Sequence, residues 1–183
     1  RQLQEFVQLI GPICVKHGVT KAGEVGLAIT EDDILKSSKV KNITWGSEKI
    51  CCADSHAIVT ETEKICHILK NFETHHNQSF AVASNETGKL SGIITLEHLK
   101  ETLMIGEFAD TLLAVDIMDK PICTCSPEDS LPDVYKKFSD ADTESMPIVD
   151  NDGKPLGIME KFAADHYLHT RILEINRKLE NMA

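Results

Sequence analysis

The sequence has no excess of basic residues: 19 Lys and Arg stand against 29 Asp and Glu, a formal charge of −10 over 183 residues. A surface of that sign repels a phosphate backbone, so nucleic acid is not expected as a partner. Small anions stay possible, because backbone N–H groups hold them locally. No apolar run approaches the roughly 18 residues that cross a bilayer, and no secretory leader is visible. With Arg1 in first place, the sequence reads as an excised piece of a longer protein.

The six cysteines lack the paired C-x-x-C spacing of a structural zinc site. Reduced thiols are expected, and the Asn42, Asn77 and Asn85 sequons read as chance. Cys123 and Cys125 alternate along one strand, where buried thiols act as small hydrophobes. His75-His76 are potential ligands without such spacing, and His166 and His169 share one helix face and read as surface residues, so no metal ligands are assigned. Nothing resembles a nucleophile elbow, a phosphate-binding glycine loop or an acid/base pair. No catalytic residues are expected, and an enzyme is not.

What the chain does have is a duplication. Ser145–Met159 places two apolar runs around Asp150-Asn151-Asp152-Gly153, a strong β-hairpin signal. Ser79–Ile94 repeats it. An offset of 66 superposes residues 49–86 on 115–152, and after Thr87, one extra turn residue, the offset drops by one. Phe72 then falls on Phe138, Ser79 on Ser145, Gly88 on Gly153, Gly92 on Gly157 and Ile93 on Ile158. Internal repetition of this kind fixes the architecture before any single element does.

Each copy predicts a short strand (57–60; 122–125), then a helix with one apolar face (Ile65, Ile68, Leu69, Phe72; Leu131, Val134, Tyr135, Phe138). Two strands follow (80–83 and 90–94; 146–149 and 156–159). A closing helix runs from Leu96 to about Met104 in one copy and from Glu160 onward in the other. Ser126-Pro127-Glu128-Asp129 is expected to start the second unit's first helix. The fold class is α/β (α+β): two tandem β-α-β-β-α repeats, an N-terminal helix and linker, and a long C-terminal helix. The expected divisions are 1–48 (membrane-helix end and linker), 49–104 (first repeat), 105–114 (connector), 115–170 (second repeat) and 171–183 (helix extension). Glu31-Asp32-Asp33 reads as a short-helix start within the linker, with acids at its positive end. Leu168, Ile172, Ile175 and Leu179 give the last helix a near-heptad stripe, for packing back on the module or against a second subunit.

The layout, with the Pro-Ile-Val-Asp and Gly-Ile-Ile-Thr phrases and Asp116-Ile117-Met118 before Pro121-Ile122, resembles the cystathionine β-synthase (CBS) domain. Two in tandem resemble a Bateman module. In the first unit Lys49-Ile50-Cys51-Cys52 is taken as the matching lead-in. Separately, Gln8-Leu9-Ile10-Gly11-Pro12-Ile13 and Lys21-Ala22-Gly23-Glu24 resemble the end of the last transmembrane helix of bacterial sodium or cation/proton antiporters, with the polar Lys16-His17-Gly18 as a departure.

The CBS resemblance implies a nucleotide pocket around the phrase Gly, two apolar residues, Thr or Ser, two residues, Asp. The first copy reads Gly92-Ile93-Ile94-Thr95-Leu96-Glu97-His98, with His98 in place of the carboxylate. The candidate ligand residues are Asp54, His56, Ser79, Phe80, Ala81, Thr95 and His98. Thr95 equally suits the N-cap of its helix. A second, degenerate pocket would involve Met146, Pro147 and Glu160, because Glu160 replaces the hydroxyl and Ala163 the carboxylate.

The resemblances together imply a cytoplasmic regulatory module on the inner face of the cell membrane, covalently attached to a transporter domain and homodimeric through its repeats. AMP, ADP or ATP is the implied ligand, and no cofactor is required. The alternatives are a ligand-free dimerisation scaffold, the same module on a chloride channel, and, more remotely, a soluble metal sensor.

Overall fold

The structure is a computed structural model, and it describes residues 31–45, 48–49, 57–75, 78–104 and 111–180. Residues 1–30, including the phrases expected to end a membrane helix, lie outside the described residues. Among those described, no helix is long and apolar enough to cross a membrane.

In chain order the elements are α1 (Glu31–Ser37), a 3-10 turn (Val40–Asn42), β1 (Thr44–Trp45) and β2 (Glu48–Lys49). The first unit follows as β3 (Ile58–Thr60), α2 (Ile65–His75), β4 (Ser79–Ala83), β5 (Leu90–Thr95) and α3 (Leu96–Met104). The second comprises α4 (Ala114–Ile117), α5 (Leu131–Ala141), β6 (Ser145–Val149), β7 (Pro155–Glu160) and α6 (Lys161–Glu180). In the first sheet β3 runs parallel to β4, and β4 pairs antiparallel with β5. The second keeps the β6–β7 hairpin, but its expected leading strand at 122–125 is reduced to one parallel bridge, Cys125 to Ile148.

Alternation along the hairpins decides which unit each side chain faces. Phe80, Val82 and Ile94 point to α2 and α3 and form the first core with Ile65, Ile68 and Leu99. Met146, Ile148 and Met159 do the same in the second with Leu131, Val134 and Phe138. The opposite faces meet between the units, where Ala57, Ala81, Ile93 and Ile158 make a small apolar cluster. Ser79 and Ser145, equivalent by the repeat, meet there hydroxyl to hydroxyl at 2.8 Å. At the hairpin tips the Leu90 N–H donates to Gly153 O at 2.8 Å. Gly88 and Gly153 sit at φ +68° and +80°, a region costly for other residues.

The lead-ins cross over. In the second unit's lead-in, Ala114 and Val115 donate backbone N–H groups to Glu63 O and Glu61 O of the first unit. Val40 and Lys41 donate in the same way to Asp129 O and Pro127 O of the second. The bridges Lys64 to Leu113 and Ser130 to Lys39 complete the match. The segment that repeats Leu113–Ile117 is therefore Lys39–Ile43, upstream of the Lys49-Ile50-Cys51-Cys52 phrase expected from an ungapped offset. The ungapped comparison misses it because additional residues, including the β1–β2 hairpin, separate this lead-in from β3. Val40 and Ile43 are completely buried in the second unit's core. Residues 31–45, read as part of a linker, are packed structure.

The two expected helix starts turn out differently. The one expected at Ser126 lies at Ser130, whose hydroxyl accepts the Asp133 N–H, while Ser126–Asp129 closes a turn of its own. Glu31-Asp32-Asp33 does open α1, which lays Ile34 against Leu168 and Ile175. The described part of the α6 stripe thus packs back on the module.

Candidate functional site

Both hairpins end at the head of a closing helix, on the face turned toward the other unit. Thr95 ends β5 and precedes α3. Glu160, its repeat equivalent, ends β7 and precedes α6. The two heads are built alike: Leu96 N–H donates to Gln78 O, and Lys161 N–H to Glu144 O, both at 2.9 Å. Their side chains then diverge.

At the first head Thr95 and His98 cap each other. The His98 N–H donates to Thr95 Oγ at 3.5 Å, and the Thr95 N–H donates to His98 Nδ1 at 3.2 Å. This is the reciprocal logic of a capping box, with an imidazole in the place of Glu or Gln. A ring whose Nδ1 accepts carries its proton on Nε2. That Nε2–H donates to Asp119 Oδ2 at 3.1 Å. Asp119 belongs to the second unit's lead-in, and its backbone is paired in both directions with Ile93, at 2.8 and 3.0 Å. Thr95 and His98 are half-buried, while the Asp119 side chain is 77% exposed.

At the second head there is no hydroxyl. The Glu160 carboxylate instead accepts the Gln78 N–H across the units at 3.0 Å. Gln78 is thereby held on both sides, its N–H by Glu160 and its carbonyl by the head of α3. A phosphate at this head would meet a carboxylate at close range. Ala163 is buried at 6% exposure, so that position offers no room for the missing carboxylate either.

The wider arrangement now has a match. Residues 114–160 fit the family model of the CBS domain. The chain has the fold of a CBS domain pair. It is similar to the CBS domains of a membrane protein from Sphaerobacter thermophilus (TM-score 0.61, 18% identity, covering 80% of this chain and 98% of that one). It is also similar to those of a transcriptional regulator from Streptococcus pneumoniae (0.57, 14%, 71% and 98%). A third relative is a CBS domain pair in complex with methylthioadenosine and S-adenosyl-L-methionine (0.56, 20%, 73% and 98%). No curated protein matches the sequence significantly.

On the CBS fold the expected ligand residues separate by strand parity. Thr95, Ser79 and Ala81 share the face between the units, and His98 joins them from α3. Ser79 and Ala81, however, are sealed there at 2% and 0% exposure by Ser145 and the apolar cluster. Phe80 does not line the site: one residue out of phase, it is fully buried in its own unit's core. Met146 is misplaced for the same reason, buried among α5 and α6 residues, while Pro147 lies on the facing side of β6. Asp54 and His56 lie outside the described residues.

The sequence reading missed Asp119. Only an antiparallel bridge between distant segments brings it to His98, although its position just after the Asp116-Ile117-Met118 phrase was a usable signal. Of the thiols, Cys123 and Cys125 pack in or against the second core, and burial pushes the Cys123 thiol up while Lys137 draws it down.

Proposed function

We propose that this CBS domain pair is a regulatory module that binds an adenine nucleotide or related adenosyl ligand at the first unit, beside Thr95, and modulates an attached membrane cation/proton antiporter. The observation that carries the ligand assignment is the difference between the two helix heads. Thr95 presents a half-buried hydroxyl at the start of a nine-residue helix, where N–H groups and the helix dipole favour electron-rich ligand atoms. The equivalent place in the second unit holds Glu160. A fold relative solved with two adenosyl compounds supports the ligand class.

The antiporter assignment rests on the phrases between Gln8 and Glu24, and a CBS-containing membrane protein among the fold relatives agrees with it. In this reading the module lies on the cytoplasmic side of the inner membrane, pairs with a second copy through its CBS units, and has no catalytic role. Ligand acts by population shift: it favours one arrangement of the units by its differential affinity for that arrangement. α1 and the Lys39–Ile43 lead-in are anchored to the second unit, and through them the change passes toward the transporter.

Thermal unfolding with AMP, ADP, ATP, NADH and S-adenosylmethionine tests the reading. A ligand at about 100 times its dissociation constant adds roughly 2.7 kcal/mol, a shift of several degrees for a chain of this size. Thr95→Ala abolishes that shift. Silence from every ligand overturns the sensor in favour of the scaffold, which the Glu160 contact specifically supports.

A further inference from the structure

The cap at the head of α3 works in only one protonation state of its ring. The Thr95 N–H points at His98 Nδ1 at 3.2 Å, so that nitrogen must offer a lone pair. Nε2 faces the Asp119 carboxylate at 3.1 Å and must carry the proton. A neutral imidazole meets both demands at once. The Glu or Gln usual in this place accepts through an oxygen and keeps the cap closed in mild acid. A histidine does not, because it is the side chain that gains a charge, and a second N–H, between about pH 5 and 8.

The two sides of the ring respond to that proton in opposite ways. On the Thr95 side one donor is set against another and the hydrogen bond is lost. On the Asp119 side a neutral donor becomes a charged one, and the bond to the carboxylate strengthens. Thr95 belongs to the first unit and Asp119 to the second unit's lead-in, whose main chain is tied in both directions to Ile93. The other charged side chains on the surrounding elements are Glu97, Lys100 and Glu101 on α3, Asp116 on α4, Lys120 beside Asp119, and Glu160 opposite Gln78. β5 carries none, and α2 packs on the core side of α3, against Leu99. Among the described residues, Asp119 is the one charged group hydrogen-bonded to the ring. We propose that His98 is a proton-operated latch: neutral, it caps α3 through Thr95, and protonated, it releases the Thr95 N–H and holds Asp119 alone. Acid then loosens the head of the first unit's closing helix while the second unit's lead-in stays attached. The inference concerns the chain without ligand and stands independently of the ligand reading above.

The test is nuclear magnetic resonance on the whole isotope-labelled chain between pH 8 and pH 5. The His98 ring signals report its protonation. Amide exchange at Thr95, Ile93 and Asp119 is expressed as protection factors, which remove the ordinary pH dependence of exchange. Thr95 protection falls by at least about fivefold, the worth of one hydrogen bond, and it does so in step with the ring signals. The Ile93 and Asp119 amides stay protected. Thr95 protection that holds through the ring's titration overturns the latch, and so does its loss together with that of Ile93 and Asp119, which would be general opening. His98→Gln puts in the usual capping residue, which does not titrate, and Thr95 protection then no longer depends on pH. The same acid loss in that variant assigns it to another group and overturns the inference. The wild-type measurement decides the question even if the variant does not fold.

Discussion

The two units of the fold receive their lead-ins differently. Into the second unit go Val40 and Ile43, both completely buried, with α1 packed alongside and Lys39 and Lys41 clasping Glu128 at 2.9 and 2.7 Å. Into the first go Ala114, fully buried, and Ile117 and Met118, only partly so. The repeat equivalent of Glu128 is Thr62, which forms no such clasp and bonds instead to the Asn85 amide. The heavier seal lies on the unit whose helix head is filled by Glu160, and the lighter one on the unit whose head carries Thr95. The heavier packing and the helix-head hydroxyl thus fall on different copies of one duplicated fold.

The largest effect expected from breaking this arrangement is at Ile43. Truncation to Ala removes a fully buried side chain and costs about 2–5 kcal/mol. Because the residue belongs to one repeat and the cavity opens in the other, both units unfold in one transition. Urea denaturation followed by the fluorescence of the single tryptophan, Trp45, and by far-ultraviolet circular dichroism checks this, and separated midpoints would show that the units fold independently.

Gly92→Ala strikes the lighter seal. A Cβ there would lie 2.5 Å from Met118 Sδ and 3.0 Å from Asp119 O. The thioether can swing aside but the carbonyl cannot move without loosening the bridge to Ile93. A loss of about 1–3 kcal/mol follows, the usual range for overpacking. The same change disturbs the Asp119–His98 contact beside Thr95, so on the ligand reading proposed above affinity falls further than stability alone explains, a divergence that titration and denaturation of one variant reveal together.

These two variants also mark where sequence reasoning reached and where it stopped. The hairpins, the closing helices and the faces of α2 and α5 were legible, because apolar periodicity and Asp-Gly or Thr-Gly turns are local signals. The position of the lead-in at Lys39–Ile43 was not. An ungapped offset carried Val115 back to Lys49, whereas hydrogen bonds to Asp129 and Pro127, nearly ninety residues away, define the true equivalent. Strand parity likewise separates Phe80 from Thr95, and only the register of Ser79 with Thr95 makes that plain. Asp119 needed a contact between units that no short window contains.

Thr95→Ala sharpens the contrast between the two heads. It deletes the N-cap acceptor of α3 and costs about 1 kcal/mol. Glu160→Thr gives the second head the hydroxyl of the first but frees the Gln78 N–H from its partner. Comparing the melting points of the two variants shows whether the hydroxyl or the cross-unit carboxylate contributes more to stability.

The smallest effect belongs to the clasp at Glu128, and its pH dependence identifies it. Hydrogen bonds from Lys41 and Lys39 hold this carboxyl well below its usual 4.5, at about 2. A group depressed in the folded state stabilises above its unfolded pKa, and the contribution is lost as pH falls from there through the folded value. Glu128→Gln is therefore slightly less stable than the wild type at neutral pH. The gap holds down to about pH 5 and closes between there and about pH 2. With 61% of the Glu128 side chain exposed, water and salt screen the clasp, so the gap also narrows in concentrated sodium chloride. Urea midpoints for the pair across that pH range measure it directly. A difference that persists unchanged at the acid end would mean that Glu128 acts through packing rather than charge, and the asymmetry between the seals would then rest on Val40 and Ile43 alone.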